Sequence, residues 1–167
     1  MHRNTEMKHL IIISPVDSFA EITRDERARK LVFSNADYCA ASVHSFVTSK
    51  AFGKDILSFI NNLKDRGTIN VVLLTGVDED IMRLIATGCN IHYNEIVSSL
   101  NKDAAIQSIA YKYRREYSDI LLLSAHATDI YAAQRNGVLG VFYGYDSRFP
   151  SVNSMEQFLK HLGISKA

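Results

Sequence analysis

The sequence predicts an α/β protein built around a doubly wound, mostly parallel β-sheet. Two observations lead to this fold class. Short apolar segments recur along the chain and are apolar throughout rather than at alternate positions, which is typical of strands that helices cover on both faces. Segments with helical spacing separate them, and such alternation builds parallel sheets through right-handed crossovers. The apolar segments are Lys8–Ile13, Ile69–Leu74, Asp119–Leu123 and Leu139–Tyr143.

The helices between these strands are predicted from apolar periodicity and from residues that end helices. Ile56, Phe59, Ile60 and Leu63 follow the i, i+3, i+4, i+7 pattern, and Gly67 stands where such a helix would end. Ser154 and Gln157 form a capping-box pattern at the start of the last helix. Three more helices are predicted at Asp78–Thr87, Ile106–Tyr113 and Ala127–Asn136. A further short strand is predicted at Asn90–Tyr93.

The length of 167 residues suits one domain, so residues 1–167 are interpreted as a single unit. The region Ala20–Phe52 does not fit a single crossover and predicts two helices, Glu21–Lys30 and Ala36–Ser49. At about 33 residues it is shorter than the roughly 40 that usually fold unaided. We therefore interpret 20–52 as a small helical insertion after the first strand, with no large cap.

Composition excludes several classes of function. With 19 Lys and Arg against 18 Asp and Glu, the net charge of +1 gives no electrostatic reason to expect nucleic acid or an anionic membrane as a partner. The longest apolar run, Leu10–Ile13, is far below the roughly 18 residues of a membrane span. No apolar leader opens the sequence. Cys39 and Cys89 are expected to be reduced thiols, so a cytoplasmic location is expected.

Candidate site residues lie where the predicted strands end, because open parallel sheets bind ligands beyond the carboxyl ends of their strands. The most informative segment is LLLSAHATDIYAAQRNGVLGVFYGY, Leu121–Tyr145. It resembles the fourth motif of the haloacid dehalogenase-like (HAD) superfamily, with the helix and strand that follow it. VVLLTG with Thr75 is similar to the second motif, Lys102 to the third, and IIISPVDSF to the first. The resemblance covers the chain except Ala20–Phe52.

The resemblance implies a phosphoryl-transfer site whose reacting groups have been replaced. An aspartyl-phosphate mechanism needs a carboxylate nucleophile, an acid two residues later, and Mg²⁺ held by carboxylates. Ser14 stands at the nucleophile position, Val16 at the acid position and Ala125 at a metal-binding position. Asp17 occupies the usual glycine position and could act as a shifted nucleophile or cap local amides.

The phosphate-binding half of the motif set is better preserved. Thr75 and Lys102 are the predicted phosphate contacts, although a turn threonine and a solvated lysine need no such role. Asp129 could be a residual metal ligand or a carboxylate that favours a helix start. One carboxylate is a poor Mg²⁺ site, so no cofactor is expected, and Mg²⁺ enters only if Asp17 and Asp129 act together.

Two further features of the sequence suggest other roles. Ser14 and His126 both follow strands, which allows a hypothetical Ser–His pair, with an exposed imidazole as the simpler interpretation. The aromatic segment near the C-terminus could contact another protein, or could close the sheet edge over the last helix. Its residues are Phe142, Tyr143, Tyr145 and Phe149.

The sequence therefore favours a catalytically inactive HAD-like protein that acts as a binding, scaffolding or regulatory component. Its expected partner is another, unidentified protein, and a homo-oligomer is left open. One alternative is a Mg²⁺-dependent phosphatase that uses Asp17 and Asp129. A second alternative is a sensor that binds a phosphorylated metabolite at Thr75 and Lys102 without hydrolysing it.

Overall fold

The computed structural model describes residues 7–14, 53–76, 78–88 and 90–164. The strands in these residues are β1 (Leu10–Ser14), β2 (Asn70–Thr75), β3 (Glu95–Ser98), β4 (Ile120–Ser124), β5 (Leu139–Tyr143) and β6 (Ser151–Val152). They form one sheet in the order β3-β2-β1-β4-β5-β6, and each neighbouring pair is parallel. The predicted doubly wound α/β fold is confirmed.

Helices cover both faces of this sheet. They are α1 (Gly53–Asp65), α2 (Glu79–Gly88), α3 (Lys102–Tyr113), α4 (Ala127–Arg135) and α5 (Met155–Leu162). Successive strand residues point to opposite faces. Ile11 and Ile13 of β1 pack in one core with α1, α2 and α5, whereas Leu10 and Ile12 pack in a second core with α3 and α4. This double coverage explains why the inner strands are apolar at every position.

Two helix ends form as their sequence signals predict. Gly67 adopts a left-handed conformation with φ of 75° after α1, and its backbone N–H donates to the carbonyl of Lys64 at 3.0 Å. At the start of α5 the hydroxyl of Ser154 accepts a hydrogen bond from the backbone N–H of Gln157 at 3.2 Å. The Gln157 side chain in turn accepts from the backbone N–H of Asn153 at 2.8 Å.

The prediction of a strand at Asn90–Tyr93 is wrong, because the strand there is β3, Glu95–Ser98. Asn94 sets where pairing begins: its backbone N–H donates to the Val71 carbonyl, and its side-chain oxygen accepts from the Val71 N–H, both at 2.7 Å. β3 lies at the sheet edge, where a strand tolerates polar residues such as Glu95 and Ser98. The two-residue β6 at the opposite edge was also missed.

Several predictions fall outside the described residues. They are the helical insertion at 20–52, both cysteines, and the loop that contains Val16 and Asp17. Single-domain organisation therefore stays a prediction. Among the described helices, none has the length and apolarity needed to cross a membrane.

Candidate functional site

The centre of the candidate site is the carboxyl edge of β1 and β4. The chain builds β2 and β3 on one side of β1 and then returns to place β4 on the other side, so the strand order reverses between β1 and β4. Ligands of open parallel sheets bind at such reversal points. Ser14 and Ser124 are the last residues of these two strands, are direct partners in the sheet register, and are each 1% exposed.

Ser14 uses its hydroxyl group within the sheet. Its Oγ donates a hydrogen bond to the carbonyl oxygen of Leu74 in β2 at 3.0 Å. His126, the residue before α4, is half-buried, and its backbone N–H donates to Ser124 Oγ at 3.0 Å. The hydroxyl proton of Ser14 is therefore directed to a backbone carbonyl, and the described contacts give no support to a Ser14–His126 pair.

Asp129 is a buried carboxylate in the first turn of α4, with 1% of its side chain exposed. Its Oδ2 accepts a hydrogen bond from Ser124 Oγ at 2.8 Å. Its Oδ1 lies 3.6 Å from the ammonium nitrogen of Lys102 and has no hydrogen-bond partner among the described residues. Attraction to the positive end of the helix macrodipole also favours a carboxylate at this position.

Lys102 is the first residue of α3 and reaches across to α4. The preceding Asn101 ends the loop, and its side-chain oxygen accepts from the backbone N–H of Ala104 at 3.0 Å. This cap fixes the start of α3 and with it the point from which the lysine extends. The Lys102 side chain is 18% exposed, so the ion pair is largely but not wholly shielded from water.

The group Ser14, Ser124, Lys102 and Asp129 does not by itself fit Mg²⁺. Mg²⁺ requires near-octahedral oxygen ligands and is usually held by one or two carboxylates together with phosphate oxygens. Within this group Asp129 is the one carboxylate, and its second oxygen faces an ammonium group. In the described ranges, no three or more His, Cys, Asp or Glu side chains converge in a group that could hold a metal ion.

The remaining predicted residues are placed as follows. Thr75 ends β2, is fully buried, and pairs in register with Ser98 of β3. Ala125 follows β4 directly and packs partly buried against the core. Val16 and Asp17 lie outside the described residues, so their assigned roles stay predictions.

The aromatic residues after β4 mostly belong to the core. Tyr143 and Phe149 are 4% and 7% exposed, and burial raises the pKa of Tyr143 to about 12. Phe149 stacks on Phe142 with ring centroids 6.2 Å apart and meets the edge of Tyr131 at 5.1 Å. Tyr145 is 73% exposed. Tyr145 is therefore accessible from solvent, whereas Tyr143 and Phe149 are buried.

Sequence reasoning missed two structural features of this edge. The hydrogen bond from Ser124 to Asp129 joins the end of β4 to α4, and a serine five positions before an aspartate was its only signal in the sequence. The second is Arg148, whose guanidinium lies 5.0 Å from the Phe149 ring centroid and donates to Asp146 at 2.7 Å. Hydrogen bonds from Arg148 lower the pKa of Asp146 to about 2.

Comparisons with known proteins identify the fold. No protein-family model matches the sequence. No curated protein matches it either. Among solved structures, a dehalogenase with an intermediate complex matches at a TM-score of 0.60 and 11% identity, over 96% of this chain and 98% of that chain. A HAD-superfamily hydrolase from Ehrlichia chaffeensis matches at 0.57 and 11% identity, over 94% and 97%.

A predicted phosphatase from Clostridium acetobutylicum matches at a TM-score of 0.54 and 16% identity, over 95% of this chain and 92% of that chain. The three alignments cover 94–96% of this chain at TM-scores of 0.54–0.60. The chain therefore has the HAD-like fold that its sequence motifs indicated. Structural matches at sequence identities of 11–16% establish the fold alone and do not establish the chemistry.

Proposed function

We propose that this protein is a HAD-like protein that has lost phosphoryl-transfer chemistry and acts by binding another protein, as a scaffold or a regulator. The observation that supports this most directly is Ser14 at the end of β1. By resemblance this is the position of the nucleophilic carboxylate, and here a hydroxyl group donates its proton to the Leu74 carbonyl. A neutral hydroxyl without a base is a weak nucleophile.

Ala125 and Asp129 support the same proposal. Ala125 has no side-chain oxygen at a position where the resemblance places a metal-binding carboxylate. Asp129 keeps its carboxylate, but Ser124 and Lys102 contact one oxygen each. Loss of a nucleophile, an acid and a metal ligand together leaves little stabilisation of a phosphoryl-transfer transition state.

The partner surface that the fold leaves accessible includes Tyr145. Tyrosine is enriched at protein interfaces because it offers a large contact area with a polar tip. Arg148 and the half-exposed Tyr131 lie near each other, since both contact Phe149, which is four residues after Tyr145 in the chain. Tyrosine and arginine are the side chains that most often dominate binding energy in interfaces.

An aryl phosphatase assay with Mg²⁺ tests the loss of activity. We expect no hydrolysis that follows the protein through its final purification step. Asp17→Asn and Asp129→Asn test the alternative phosphatase, and Asp146→Asn is the matched control outside the Ser14 site. Hydrolysis that copurifies with the chain and disappears in Asp17→Asn, but persists in Asp146→Asn, would overturn the proposal.

A second candidate function is a sensor that binds a phosphorylated metabolite without turnover. The favouring observation is that Lys102 keeps 18% of its side chain exposed next to the buried Asp129, so its ammonium group is partly accessible. An oxyanion that binds only the folded state raises the melting temperature. We expect inorganic phosphate to raise the melting temperature if this function is present, and Lys102→Met to remove the rise. A melting temperature independent of phosphate would exclude the sensor.

A further inference from the structure

A cavity lies at the edge of the sheet opposite the carboxyl edge, where the strands begin. It has a volume of about 600 Å³. Lys8 lies two residues before β1 and six before Ser14, which corresponds to roughly 20 Å at the rise of a strand, so this cavity is separate from the carboxyl edge. The cavity is lined by Lys8, Ser118, Gln134, Gly137, Val138, Leu139, Pro150, Lys160 and His161.

Lys8 is the unusual member of this lining, because it is only 9% exposed. Its ammonium nitrogen donates to the carbonyl oxygen of Ser118 at 2.7 Å, and within the described residues no carboxylate forms an ion pair with it. An ammonium group has three N–H donors, and a buried charge without a counter-charge is costly. The local structure therefore leaves hydrogen-bonding capacity and positive charge beside the cavity.

The described lining of the cavity contains no aspartate or glutamate. Lys160 adds a second cation from α5. Among the described residues, Asp119, which follows Ser118 in the chain, is already engaged: its Oδ1 lies 2.9 Å from His9 Nδ1 and its Oδ2 lies 3.2 Å from Arg115. The positive charge at Lys8 is thus not neutralised by these neighbours.

The carbonyl groups at nearby helix ends are also satisfied. Helices α4 and α5 both end at this edge, and free carbonyls there could have balanced the lysine charges. At the end of α4, the Ala133 carbonyl accepts from Val138 N–H at 2.9 Å. At the end of α5, the Leu159 carbonyl accepts from Ile164 N–H at 2.9 Å. Both bonds are backbone caps that occupy these acceptors.

One wall of the cavity is apolar and is formed by Val138, Leu139 and Pro150. We propose that this cavity binds a small organic anion, whose carboxylate or phosphate group contacts Lys8 and Lys160 and whose apolar body lies against this wall. Pockets for small ligands commonly combine an apolar lining with a few polar groups that fix orientation. The proposal is independent of whether the carboxyl edge has lost its activity.

Titration of the full-length protein with sodium benzoate, followed by amide NMR, tests this site. We expect saturable shifts at Gln134, Gly137 and His161, and no saturable shifts with benzyl alcohol, which has the same ring without the charge. Phenyl phosphate in a parallel titration distinguishes a carboxylate from a phosphate preference. Lys8→Met should weaken benzoate binding by at least tenfold, whereas Lys112→Met, which changes a lysine outside the cavity, should leave it unchanged.

Lys160→Met provides a second variant on an exposed position, where folding is not at risk, and we expect it to weaken binding severalfold. Three results would overturn the proposal. They are the absence of saturable shifts around this cavity, equal affinity in Lys160→Met and the unmodified chain, and shifts confined to Ser124 and Lys102 at the carboxyl edge.

Discussion

The Ser124 hydroxyl donates a hydrogen bond to the buried Asp129 carboxylate at 2.8 Å, across the junction between β4 and α4. The same hydroxyl oxygen accepts from the backbone N–H of His126 at 3.0 Å. One side chain therefore fixes both the turn and the orientation of the carboxylate. This makes Ser124 a structural support for Asp129, whatever chemistry the site performs.

Ser124→Ala is expected to lower the free energy of unfolding by about 1–3 kcal/mol, because the change leaves an acceptor oxygen of a buried carboxylate unsatisfied. Urea denaturation followed by circular dichroism measures this loss. Ser108→Ala on the exposed surface of α3 is the control and should change stability by less than about 0.5 kcal/mol. Equal stability of the two variants would show that the Ser124 hydrogen bond contributes nothing.

Lys102→Met is expected to lower the free energy of unfolding by about 3 kcal/mol, because it leaves the buried charge of Asp129 without the Lys102 ammonium group. The double variant Lys102→Met with Asp129→Leu should recover part of this loss, since it removes the uncompensated charge as well. Denaturant midpoints of the single and double variants measure the coupling. Lys112→Met is the control. Lys112 pairs with Glu95 and its side chain is 63% exposed, so this change should lower the free energy of unfolding by less than about 1 kcal/mol. A double variant less stable than either single variant would contradict this account.

Arg148→Gln is expected to raise the pKa of Asp146 from about 2 toward its ordinary value of 3.8, because Arg148 hydrogen bonds hold it down. A carboxyl whose pKa is lowered by folding stabilises the protein above its unfolded pKa, and this contribution disappears as the pH falls through the folded pKa. The difference in the free energy of unfolding between the unmodified protein and Arg148→Gln should therefore shrink as the pH falls from about 5 to about 2. NMR titration of the Asp146 carboxyl carbon measures the pKa, and an unchanged value in Arg148→Gln would disprove the assignment.

Phe149→Ala and Tyr145→Ala should have very different effects on stability, because Phe149 lies in the core and Tyr145 lies on the surface. Phe149 is buried against Phe142 and Tyr131, so its truncation should cost about 3–5 kcal/mol. Tyr145 is 73% exposed, and its truncation should change stability by less than about 0.5 kcal/mol. Thermal unfolding of both variants measures the difference. A large loss of stability in Tyr145→Ala would remove Tyr145 from the proposed partner surface.

Most of the fold could be predicted because inner strands of a parallel sheet must be apolar on both faces. Leu10–Ser14 and Ile120–Ser124 are buried at every position, and each matches a predicted strand to within two residues. The edge strands were harder: Glu95–Ser98 is part polar, and Ser151–Val152 is too short to give a pattern. An edge strand is covered less completely, so its sequence is less constrained.

The sequence by itself determined the four inner strands β1, β2, β4 and β5, the helices between them, and that the last residue of β1 is a serine and not a carboxylate. These follow from local apolar patterns and from residue identity. Only the tertiary structure decided that Lys102 and Asp129 form an ion pair, that Ser14 donates to Leu74, and that Lys8 lies buried beside Ser118. Such contacts join residues far apart in the chain, and their geometry depends on strand register and helix packing, which no local pattern specifies.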